Sequence, residues 1–584
     1  MIFKPKFDAE GVLSEYPRPQ KRRKSYFTLN GEWDYKFSLK ESFETCFDGK
    51  IIVPYCPESD LSGVKRQLKA DEVLHLKKTF ALPEGFNKGR VFLYVGACDQ
   101  TCKVYLNGEF LYENRDGYTA FTVELTNITD GQNVLYVTVK DNADSDVYGR
   151  GKQKYKRGGI WYTAISGIWK SCFLESTPDF YCKDFTFDID YDNKLLTVSC
   201  DLNYPEKSAY VSIIDENKEV SGGFSVNGKI TFDVKNLKEW SPEHPELYVV
   251  KIVAGDDEIE SYVGIRKFSK IKIKDKWYFA VNNKPVFFSG LLDQGYYYGG
   301  IYTPKSNLSM FDELSNLKKM GFNMLRKHIK VESALWYHYC DLLGIAVFQD
   351  MINGGKPYKF LRIILAPFLN LRLNDKNYKS MGRDNEESRN QYVYEAKRMM
   401  NELKNVTSLY LYTPFNEGWG QFDSVENYRR FSSEDGSRLF DHASGWQDNG
   451  EGDTLSKHIY FRKLKMKNDG KRVLFLSEFG GYSLYVKGHA FSDKKFGYKS
   501  FNGQKQFEKA LKNLYLKEVL DMIKKQGLSG ICYTQVSDVE DETNGLYTYD
   551  GILKINPAVM LELNKELYKA FFETLNEQIE QITE

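Results

Sequence analysis

The first third of the chain alternates hydrophobic and polar positions with the period of a β-strand. Residues 91–95 and 133–137 show this pattern, and no long segment of helical periodicity interrupts it. Turn-forming dipeptides separate the alternating runs: Asn30-Gly31, Asn107-Gly108 and Asp130-Gly131. Short strands punctuated by such turns predict a β-sandwich over residues 1–178.

A second group of alternating segments predicts another, smaller sandwich over residues 179–269. Its clearest strands recur at the spacing of an immunoglobulin-like domain: residues 195–201, 209–214, 229–234 and 247–253. We find no group of reactive side chains in this stretch, and we interpret it as a spacer.

From residue 270 to residue 584 short apolar runs alternate with amphipathic segments. The apolar runs predict strands at residues 323–325, 345–348 and 530–533. The amphipathic segments predict helices at residues 311–320, 332–343, 390–404 and 507–525. A strand–helix rhythm over about 310 residues predicts a (β/α)8 barrel with insertions.

Two short motifs in the predicted barrel each place a glutamate just after an apolar, β-prone run. Glu417 lies in Pro-Phe-Asn-Glu-Gly-Trp after residues 409–412, and Glu478 lies in Leu-Ser-Glu-Phe-Gly-Gly after residues 473–476. Such runs are typical of buried parallel strands, whose carboxyl ends carry the chemistry of these barrels. Enzymes that cleave glycosidic bonds use two carboxyl groups that face the same cavity.

The two glutamates suit different roles in a retaining glycosidase. Glu417 is the candidate acid, and Asn416 beside it can hydrogen-bond the 2-hydroxyl of the sugar. The alternative is that this Asn-Glu pair only caps a helix, but Trp419 and the adjoining glycines favour catalysis. Glu478 is the candidate nucleophile, since two following glycines allow close approach of a substrate. Its alternative is an ordinary structural carboxylate.

Other polar side chains near predicted strand ends are candidates for substrate binding. A Tyr460 hydroxyl donated to the nucleophile would keep it ionised, and His458 either fixes that geometry or is a structural hydrogen-bonding group. Arg326 either steadies a catalytic carboxylate or forms an ordinary surface ion pair. The remaining candidates from these segments are Asp293, Gln294, His328, Trp446 and Asp453.

Composition excludes several classes of partner and cofactor. The chain has 81 Lys and Arg against 80 Asp and Glu, which argues against a nucleic-acid or anionic-membrane surface. Aromatic residues make up 15%, mostly as expected for sheet packing, with a minority available to line a carbohydrate cleft. Walker, dinucleotide, zincin and serine-hydrolase motifs are absent, and we predict no cofactor.

Two features of the sequence offer candidate metal ligands, the cysteines and an acidic cluster. The nine cysteines are scattered without zinc-ligand spacing and are expected to be buried packing groups. The cluster Asp538, Glu540, Asp541 and Glu542 suggests calcium, but its spacing favours a charged loop or a sugar-binding rim. We therefore predict no metal site.

The first residues of the chain bear on the cellular compartment of the protein. Residues 1–8 lack the apolar stretch of an export signal, and no run approaches the length of a membrane span. We expect a protein of the reducing cytoplasm with no membrane partner, with prior removal of an export signal as the alternative.

Together these segments resemble glycoside hydrolase family 2, the family of β-galactosidases, β-glucuronidases and β-mannosidases. The resemblance covers nearly the whole length, through segments 17–19, 29–33, 53–59, 159–169, 321–326, 341–344, 416–417 and 478–480. It implies a jelly-roll first domain and a double displacement with Glu417 as acid/base and Glu478 as nucleophile. It also implies a dimer or tetramer acting on carbohydrate.

Three departures from the family pattern bear on which sugar the protein would release. Many members carry His-Glu where this chain has Asp293-Gln294, and Tyr533, with Gln535 nearby, replaces a usual tryptophan. The Asn-x-Lys pair of glucuronidases is not found at Asn544. We predict a retaining exo-β-glycosidase, most like a β-galactosidase. The alternatives are a β-glucuronidase, a β-galacturonidase or another specificity of the family, and a non-catalytic carbohydrate-binding protein on the same scaffold.

Overall fold

The structure is a computed structural model that describes residues 5, 7, 10–357 and 373–583. Most of the residues behind the export-signal prediction, 1–4, 6 and 8, lie outside the described residues. Among the described helices, none has both the length and the apolar composition needed to cross a bilayer.

Two antiparallel sheets, of six and four strands, form the N-terminal part. They share one core, in which Leu74 and Val137 of the larger sheet lie in the same cluster as Leu93 and Leu174 of the smaller sheet. The strands and short bridges are Phe27–Thr28, Gly31–Ser38, Gly49–Val53, Val73–Ala81, Arg90–Val95, Cys98–Asp99, Thr101–Leu106, Glu109–Asn114, Phe121–Glu124, Gln132–Lys140, Gln153–Lys154, Tyr162–Thr163, Gly167–Ile168 and Cys172–Thr177, with a 3-10 turn at Pro19–Lys21.

Two smaller sheets, of three and four antiparallel strands, follow with a core of their own. Alternate residues of Tyr248–Ala254 are buried, which is the period-two pattern that the sequence shows there. The strands are Cys182–Asp190, Leu195–Leu202, Tyr210–Asp215, Lys218–Phe224, Lys229–Asp233, Tyr248–Ala254 and Asp257–Val263.

The rest of the chain forms a nearly closed ring of parallel strands. In ring order they are Phe288–Asp293, Met324–Lys327, Ala346–Asp350, Leu409–Thr413, Leu439–Phe440, Thr454–Ile459, Val473–Gly480 and Gly530–Thr534. The last strand pairs with the first. The ring opens between the fifth and sixth strands, where Asp453 exchanges two hydrogen bonds with Phe440, of 2.8 and 2.9 Å.

Helices and a few extra strands surround this ring. The α-helices are Asn307–Lys319, Ala334–Leu343, Glu386–Leu403, Ser424–Glu434, Gln504–Asn513, Leu520–Gln526 and Pro557–Thr583, with a π-helical turn at Leu514–Val519. Added strands are Phe268–Ile273, Lys276–Val281, Lys284–Pro285, Tyr482–Leu484 and Lys499–Phe501. The helices and strands predicted from the sequence in this region are confirmed to within a few residues, although the segment predicted as one helix at 507–525 is interrupted by the π turn.

An aromatic cluster closes the amino end of the ring. The ring centroid of Phe279, from the added hairpin, lies 5.5–5.8 Å from those of Phe288, Phe348, Tyr410 and Phe475. Because this end is filled with apolar side chains, polar groups that point into the ring are confined to the carboxyl ends of the strands.

The cysteines are all free thiols, and every one except Cys46 is buried. The prediction that they are mostly packing groups is confirmed.

Candidate active site

Glu417 and Glu478 meet at the carboxyl end of the ring. Glu417 follows strand Leu409–Thr413, and its backbone N–H donates to the carbonyl of Ser444 at 2.9 Å. Glu478 lies within strand Val473–Gly480. One carboxylate oxygen of each glutamate and one ring nitrogen of His458 all lie within 4.8 Å of one another.

The backbone of Glu417 adopts an unusual conformation. Its φ angle is +53°, in the left-handed region that residues with a Cβ seldom occupy. Such conformations persist where surrounding contacts hold them, and they concentrate at functional sites. Here the hydrogen bond to Ser444 fixes the chain and turns the carboxylate into the ring.

Arg326 links three polar groups at the centre of the site. Its Nη1 donates to Glu478 Oε1 at 3.0 Å, and its Nη2 donates to Asn416 Oδ1 at 2.8 Å. Its Nε donates to Asp350 Oδ1 at 2.9 Å. The side chain is only 1% exposed. The carboxylates of Asp350 and Glu478 compensate the positive charge of this buried guanidinium.

His328 lies against the far side of Asp350. Its Nδ1 is 2.7 Å from Asp350 Oδ2. Burial lowers the pKa of His328 to about 3, which makes the ring neutral at physiological pH. Asp350 therefore orients both Arg326 and His328 while remaining ionised, since the Arg326 charge lowers its pKa despite burial.

His458 lies between the two glutamates. Its Nδ1 is 2.7 Å from Glu417 Oε1 and 3.5 Å from Glu478 Oε2. Its Nε2 lies 3.1 Å from Ser444 Oγ and 3.4 Å from Arg326 Nη1. Burial lowers the pKa of His458 to about 4, so the ring is neutral, with Nδ1–H donating to Glu417 and Nε2 accepting.

Tyr460 donates its hydroxyl to Glu478 Oε2. Its ring stacks on that of Tyr498, with centroids 3.8 Å apart and planes 9° from parallel. The stack fixes the direction of the Tyr460 hydroxyl, which leaves Glu478 with a donor on each carboxylate oxygen, one from Tyr460 and one from Arg326.

The two carboxyl groups sit in different electrostatic surroundings. Burial raises the pKa of Glu417 to about 7, with Lys152 and Arg326 opposing the shift and Glu542 adding to it. Burial and the nearby Glu417 charge raise the pKa of Glu478, but Arg326 and the Tyr460 hydrogen bond oppose the rise. Glu478 thus has a direct ion pair and a hydroxyl donor that favour its ionised form, whereas Glu417 can hold a proton near neutral pH.

Asn416 carries a donor that no described residue accepts. Its Oδ1 is engaged by Arg326, while its buried Nδ2 has no hydrogen-bond partner in the described part of the chain. Burying a polar group without a hydrogen-bond partner costs free energy. Because Arg326 holds the Asn416 amide in place, its unused N–H can donate to a hydroxyl group of a ligand.

A chain of side-chain hydrogen bonds leads from the ring to the N-terminal sheets. Gln294 donates to Gln535 at 2.7 Å, Gln535 to Asn544 at 2.8 Å, and Asn544 to Glu542 at 3.0 Å. Tyr162, from the N-terminal sheets, donates to the other oxygen of Glu542. These amides are therefore fixed in orientation along one edge of the cleft.

Three predicted site residues lie outside this cluster. Asp293 pairs with Lys327 at 2.7 Å on the outward face of its strand, and Tyr533 faces outward against Phe479. Asp453 lies at the amino end of its strand, where it pairs with Lys270. It also accepts a hydrogen bond from Phe440 across the gap between the fifth and sixth strands. Trp446 flanks the site, donating its indole N–H to the carbonyl of His458 at 3.3 Å.

Sequence reasoning missed several residues of the cleft. Asp350 lies two residues beyond the end of a strand predicted at 345–348, so extending that strand would have found it. Tyr498 and Lys152 come from segments with no motif of their own, and only their folded positions reveal them. Glu542, in the cluster for which the sequence favours a charged loop or a sugar-binding rim, accepts a hydrogen bond from Asn544.

Three side chains at the site have ligand atoms close enough together to hold a metal ion. Among the described residues, these are Glu417, His458 and Glu478. The cluster at 538–542 is instead used by protein donors: Asp538 pairs with Lys554 at 2.6 Å, and Glu540 accepts from the Thr163 N–H at 2.9 Å. The calcium interpretation of that cluster gains no support from these contacts.

A family model described as Glycosyl hydrolases family 2 matches residues 180–266. A β-galactosidase of Thermoanaerobacter pseudethanolicus is 23% identical over 386 residues, covering 61% of this chain and 48% of that protein. A putative β-glucuronidase of Formosa agariphila is 26% identical over 307 residues, covering 48% of this chain and 35% of that protein. The matched part thus spans about half or less of these relatives' length.

Solved structures share the fold over nearly the whole chain. A β-glucuronidase of Ruminococcus gnavus has a TM-score of 0.75 at 15% identity and covers 96% of this chain and 100% of that one. A GH2 β-galacturonidase from Eisenbergiella tayi, solved bound to galacturonate, has a TM-score of 0.70 at 16% identity, with 95% and 99% covered. At these identities the likeness establishes the fold alone.

Proposed function

We propose that this chain, a member of glycoside hydrolase family 2, is a retaining exo-β-glycosidase. We assign a jelly-roll domain to residues 1–178, an immunoglobulin-like domain to 179–269 and a catalytic (β/α)8 barrel to 270–584. The paired N-terminal sheets, the smaller sheets and the nearly closed parallel ring support these three assignments.

The separation of the two carboxylates carries the proposal. Retaining enzymes place their carboxyl groups about 5–5.5 Å apart, and inverting enzymes leave about 6.5–9.5 Å for a water molecule. Oxygens of Glu417 and Glu478 lie within 4.8 Å of one another, which favours direct attack by a carboxylate.

The reaction follows from the surroundings of each group. Glu478, held by Arg326 and Tyr460, attacks the anomeric carbon as the bond to the leaving group breaks. Glu417 gives its proton to the departing oxygen, then takes a proton from the water that hydrolyses the glycosyl–Glu478 ester. The free Asn416 amide donor suits the 2-hydroxyl, whose hydrogen bond strengthens in the transition state.

We propose a neutral, β-galactoside-like glycone. The carboxylates of Glu478, Asp350 and Glu542 already surround the cleft, and an anionic sugar would add to their repulsion. Hydrolysis of β-glucuronides or β-galacturonides is the second candidate. It is favoured by the similarity to the solved β-glucuronidase and β-galacturonidase and by the ammonium group of Lys152 near Glu417.

A panel of aryl β-glycosides tests the proposal and chooses between the candidates. It includes the galactoside, glucuronide, mannoside, arabinoside and galacturonide. Fastest cleavage of the galactoside supports the first candidate, and fastest cleavage of a uronide supports the second. Turnover of none of them, with sugar binding measurable by calorimetry, would replace both with a non-catalytic carbohydrate-binding protein.

A further inference from the structure

A cavity of about 680 Å³, here called the amino-end cavity, lies at the amino end of the ring. It is lined by strand Cys182–Asp190 of the smaller sheets, by helix Glu386–Leu403 near its end and by the turn 434–438 that precedes the fifth ring strand. Because Glu417 and Glu478 lie at the carboxyl end, this cavity is separate from the candidate active site. Sites for small molecules occupy about 300–1,000 Å³, so the cavity has the size of a ligand site.

Arg266 lines this cavity, and most of its guanidinium is unused. Its Nε donates to the Thr407 carbonyl at 3.0 Å. Its Nη1 and Nη2 have no hydrogen-bond partner among the described residues, and neither atom is fully enclosed by protein. The residue as a whole is only 7% exposed. The four N–H groups on Nη1 and Nη2 are therefore available to a ligand that enters the cavity.

The charge of Arg266 also differs from its surroundings. Four other basic side chains line the cavity, and each forms an ion pair: Arg438 with Asp435, Lys404 with Asp184, Lys267 with Asp192, and Lys397 with Glu434. Arg266 has no carboxylate within ion-pair distance in the part of the chain that the structure describes. The two remaining carboxylates of the lining, those of Asp188 and Asp190, are exposed to solvent, which screens their charge.

A guanidinium buried without a carboxylate costs free energy. Burial and the neighbouring charge of Arg438 both lower the pKa of Arg266, the direction expected for a cation that lacks a compensating anion. The ring of Phe268, with its centroid 4.3 Å from the guanidinium carbon, supplies part of the compensation. An anion in the cavity would supply more, because the paired N–H groups of arginine match two oxygens of a carboxylate or a phosphate.

Apolar side chains make up another part of the lining. Phe187 and Ile189 are partly exposed on the strand of the smaller sheets, and Met400 lies on the helix. Phe268 lies beside the guanidinium of Arg266. A ligand that fits the cavity therefore has an anionic group for Arg266 and a hydrocarbon or aromatic part for these side chains.

We propose that the amino-end cavity is a binding site for a small organic anion, a carboxylate or a phosphate monoester with an apolar or ring-bearing body, and that Arg266 holds the anionic group. The ligand lies at the opposite end of the ring from Glu417 and Glu478, so it does not compete with a substrate for space. This site is independent of the proposed glycosidase activity and of the sugar that the active site accepts.

Calorimetric titration of the wild-type protein with three single-ring compounds tests the site. The compounds are phenyl phosphate, benzoate and the neutral benzamide. We expect each anion to bind with a stoichiometry of one and about 10–100-fold more tightly than benzamide, the size of a charge-assisted hydrogen bond. The two anions show whether the site prefers phosphate or carboxylate. Binding of none of the three, or equal affinity for all of them, would overturn the proposal.

Substitutions assign the preference to Arg266. Arg266→Gln should lower the affinity for both anions to that for benzamide, and Arg266→Lys should retain part of the preference, since it keeps the charge but not the paired N–H groups. Lys272→Met is the control, because it removes an exposed charge from strand Phe268–Ile273 outside the cavity, and it should leave all three affinities unchanged. Unchanged binding in a folded Arg266→Gln protein, or an equal loss in Lys272→Met, would contradict the role of Arg266.

The location of the ligand needs its own measurement, because Lys152 is another buried cation, near Glu417. Lys152→Met should leave the affinity for both anions unchanged. Wild-type crystals soaked in 4-bromobenzoate should show the anomalous signal of bromine in the amino-end cavity, a result that does not depend on the folding of any variant. Loss of binding in Lys152→Met, or a bromine signal only beside Glu417, would place the anion in the candidate active site and overturn the proposal.

Discussion

The neutral imidazole of His458 donates its Nδ1–H to Glu417 Oε1 at 2.7 Å. The tautomer follows from its other nitrogen, which faces the guanidinium of Arg326, a group that can only donate. Because Oε1 is occupied as an acceptor, the proton of a neutral Glu417 resides on Oε2. In the proposed reaction, His458 is thus a positioning residue that decides which oxygen of the acid faces the leaving group.

Replacing Glu417 by Gln should separate substrates by leaving group. The amide keeps the shape but has no proton to give, so kcat/KM for alkyl glycosides should fall by about 10²–10⁴-fold. Aryl glycosides with good leaving groups need little protonation and should lose far less in the glycosylation step. Steady-state kinetics on both classes measures this, and equal losses on the two would contradict the role of acid.

Replacing Glu478 by Ala should abolish hydrolysis but leave a cavity next to the anomeric carbon. Azide can enter that cavity and attack in place of the carboxylate, which should restore turnover of an activated aryl glycoside. A single displacement inverts the centre, so the product should be the α-glycosyl azide, identifiable by NMR. Azide should not stimulate the wild type, and a variant that azide fails to rescue would argue against Glu478 as nucleophile.

The pH dependence of kcat/KM should be bell-shaped. Glu417 must be protonated, and with its pKa raised to about 7 activity should fall as pH rises through that value. Glu478 must be ionised, so activity should also fall at acid pH, with a limb above the usual glutamate range because burial raises its pKa. In Glu417→Gln the alkaline limb should vanish for activated substrates; its persistence would assign that limb to another group.

Tyr460→Phe removes the hydroxyl donated to Glu478 and keeps the stacked ring. The pKa of Glu478 should rise, since this hydrogen bond favours the ionised form, and the acid limb should move to higher pH. We expect kcat/KM to fall by about 10–100-fold. Tyr515→Phe is the control, because the buried Tyr515 hydroxyl has no hydrogen-bond partner among the described residues. A similar acid-limb shift there would contradict the assignment to Tyr460.

Asp350→Asn should chiefly reduce stability. It removes the negative charge next to Arg326, which is 1% exposed and would keep only Glu478 as a carboxylate partner. Breaking a buried ion pair costs about 3–5 kcal/mol, so the thermal unfolding midpoint should drop measurably. Asp201→Asn is the control, since its pair with Lys183 is on the surface and should leave the midpoint unchanged. Equal midpoints for the two variants would show that Asp350 does not hold Arg326.

The centre of the site could be predicted because its residues follow strands in the sequence. Glu417, Glu478 and Arg326 each lie at or just beyond an apolar run, and Tyr460 directly follows strand Thr454–Ile459. Parallel strands bring their carboxyl ends to one edge. The elements themselves were predictable for the same reason, namely that their hydrophobic periods are regular.

Which residues of each strand point into the ring could not be predicted from the sequence. Strands of the ring are apolar on both faces, so no alternation indicates which residues point inward. Asp293 and Tyr533 fall on outward positions, one residue away from inward Leu292 and Cys532. Lys152 was beyond prediction for another reason, because its contacts with the barrel join distant parts of the chain.

The hydrogen bond from Tyr162 to Glu542 determines when, during synthesis of the chain, the cleft can assemble. The two residues are 380 positions apart, and at about 5–20 residues per second a ribosome needs about 20–80 s to make that stretch. Tyr162 is therefore synthesised long before its partner Glu542 exists. A nascent or truncated chain that ends before residue 542 lacks one edge of the cleft, so the site cannot assemble until that residue has been synthesised.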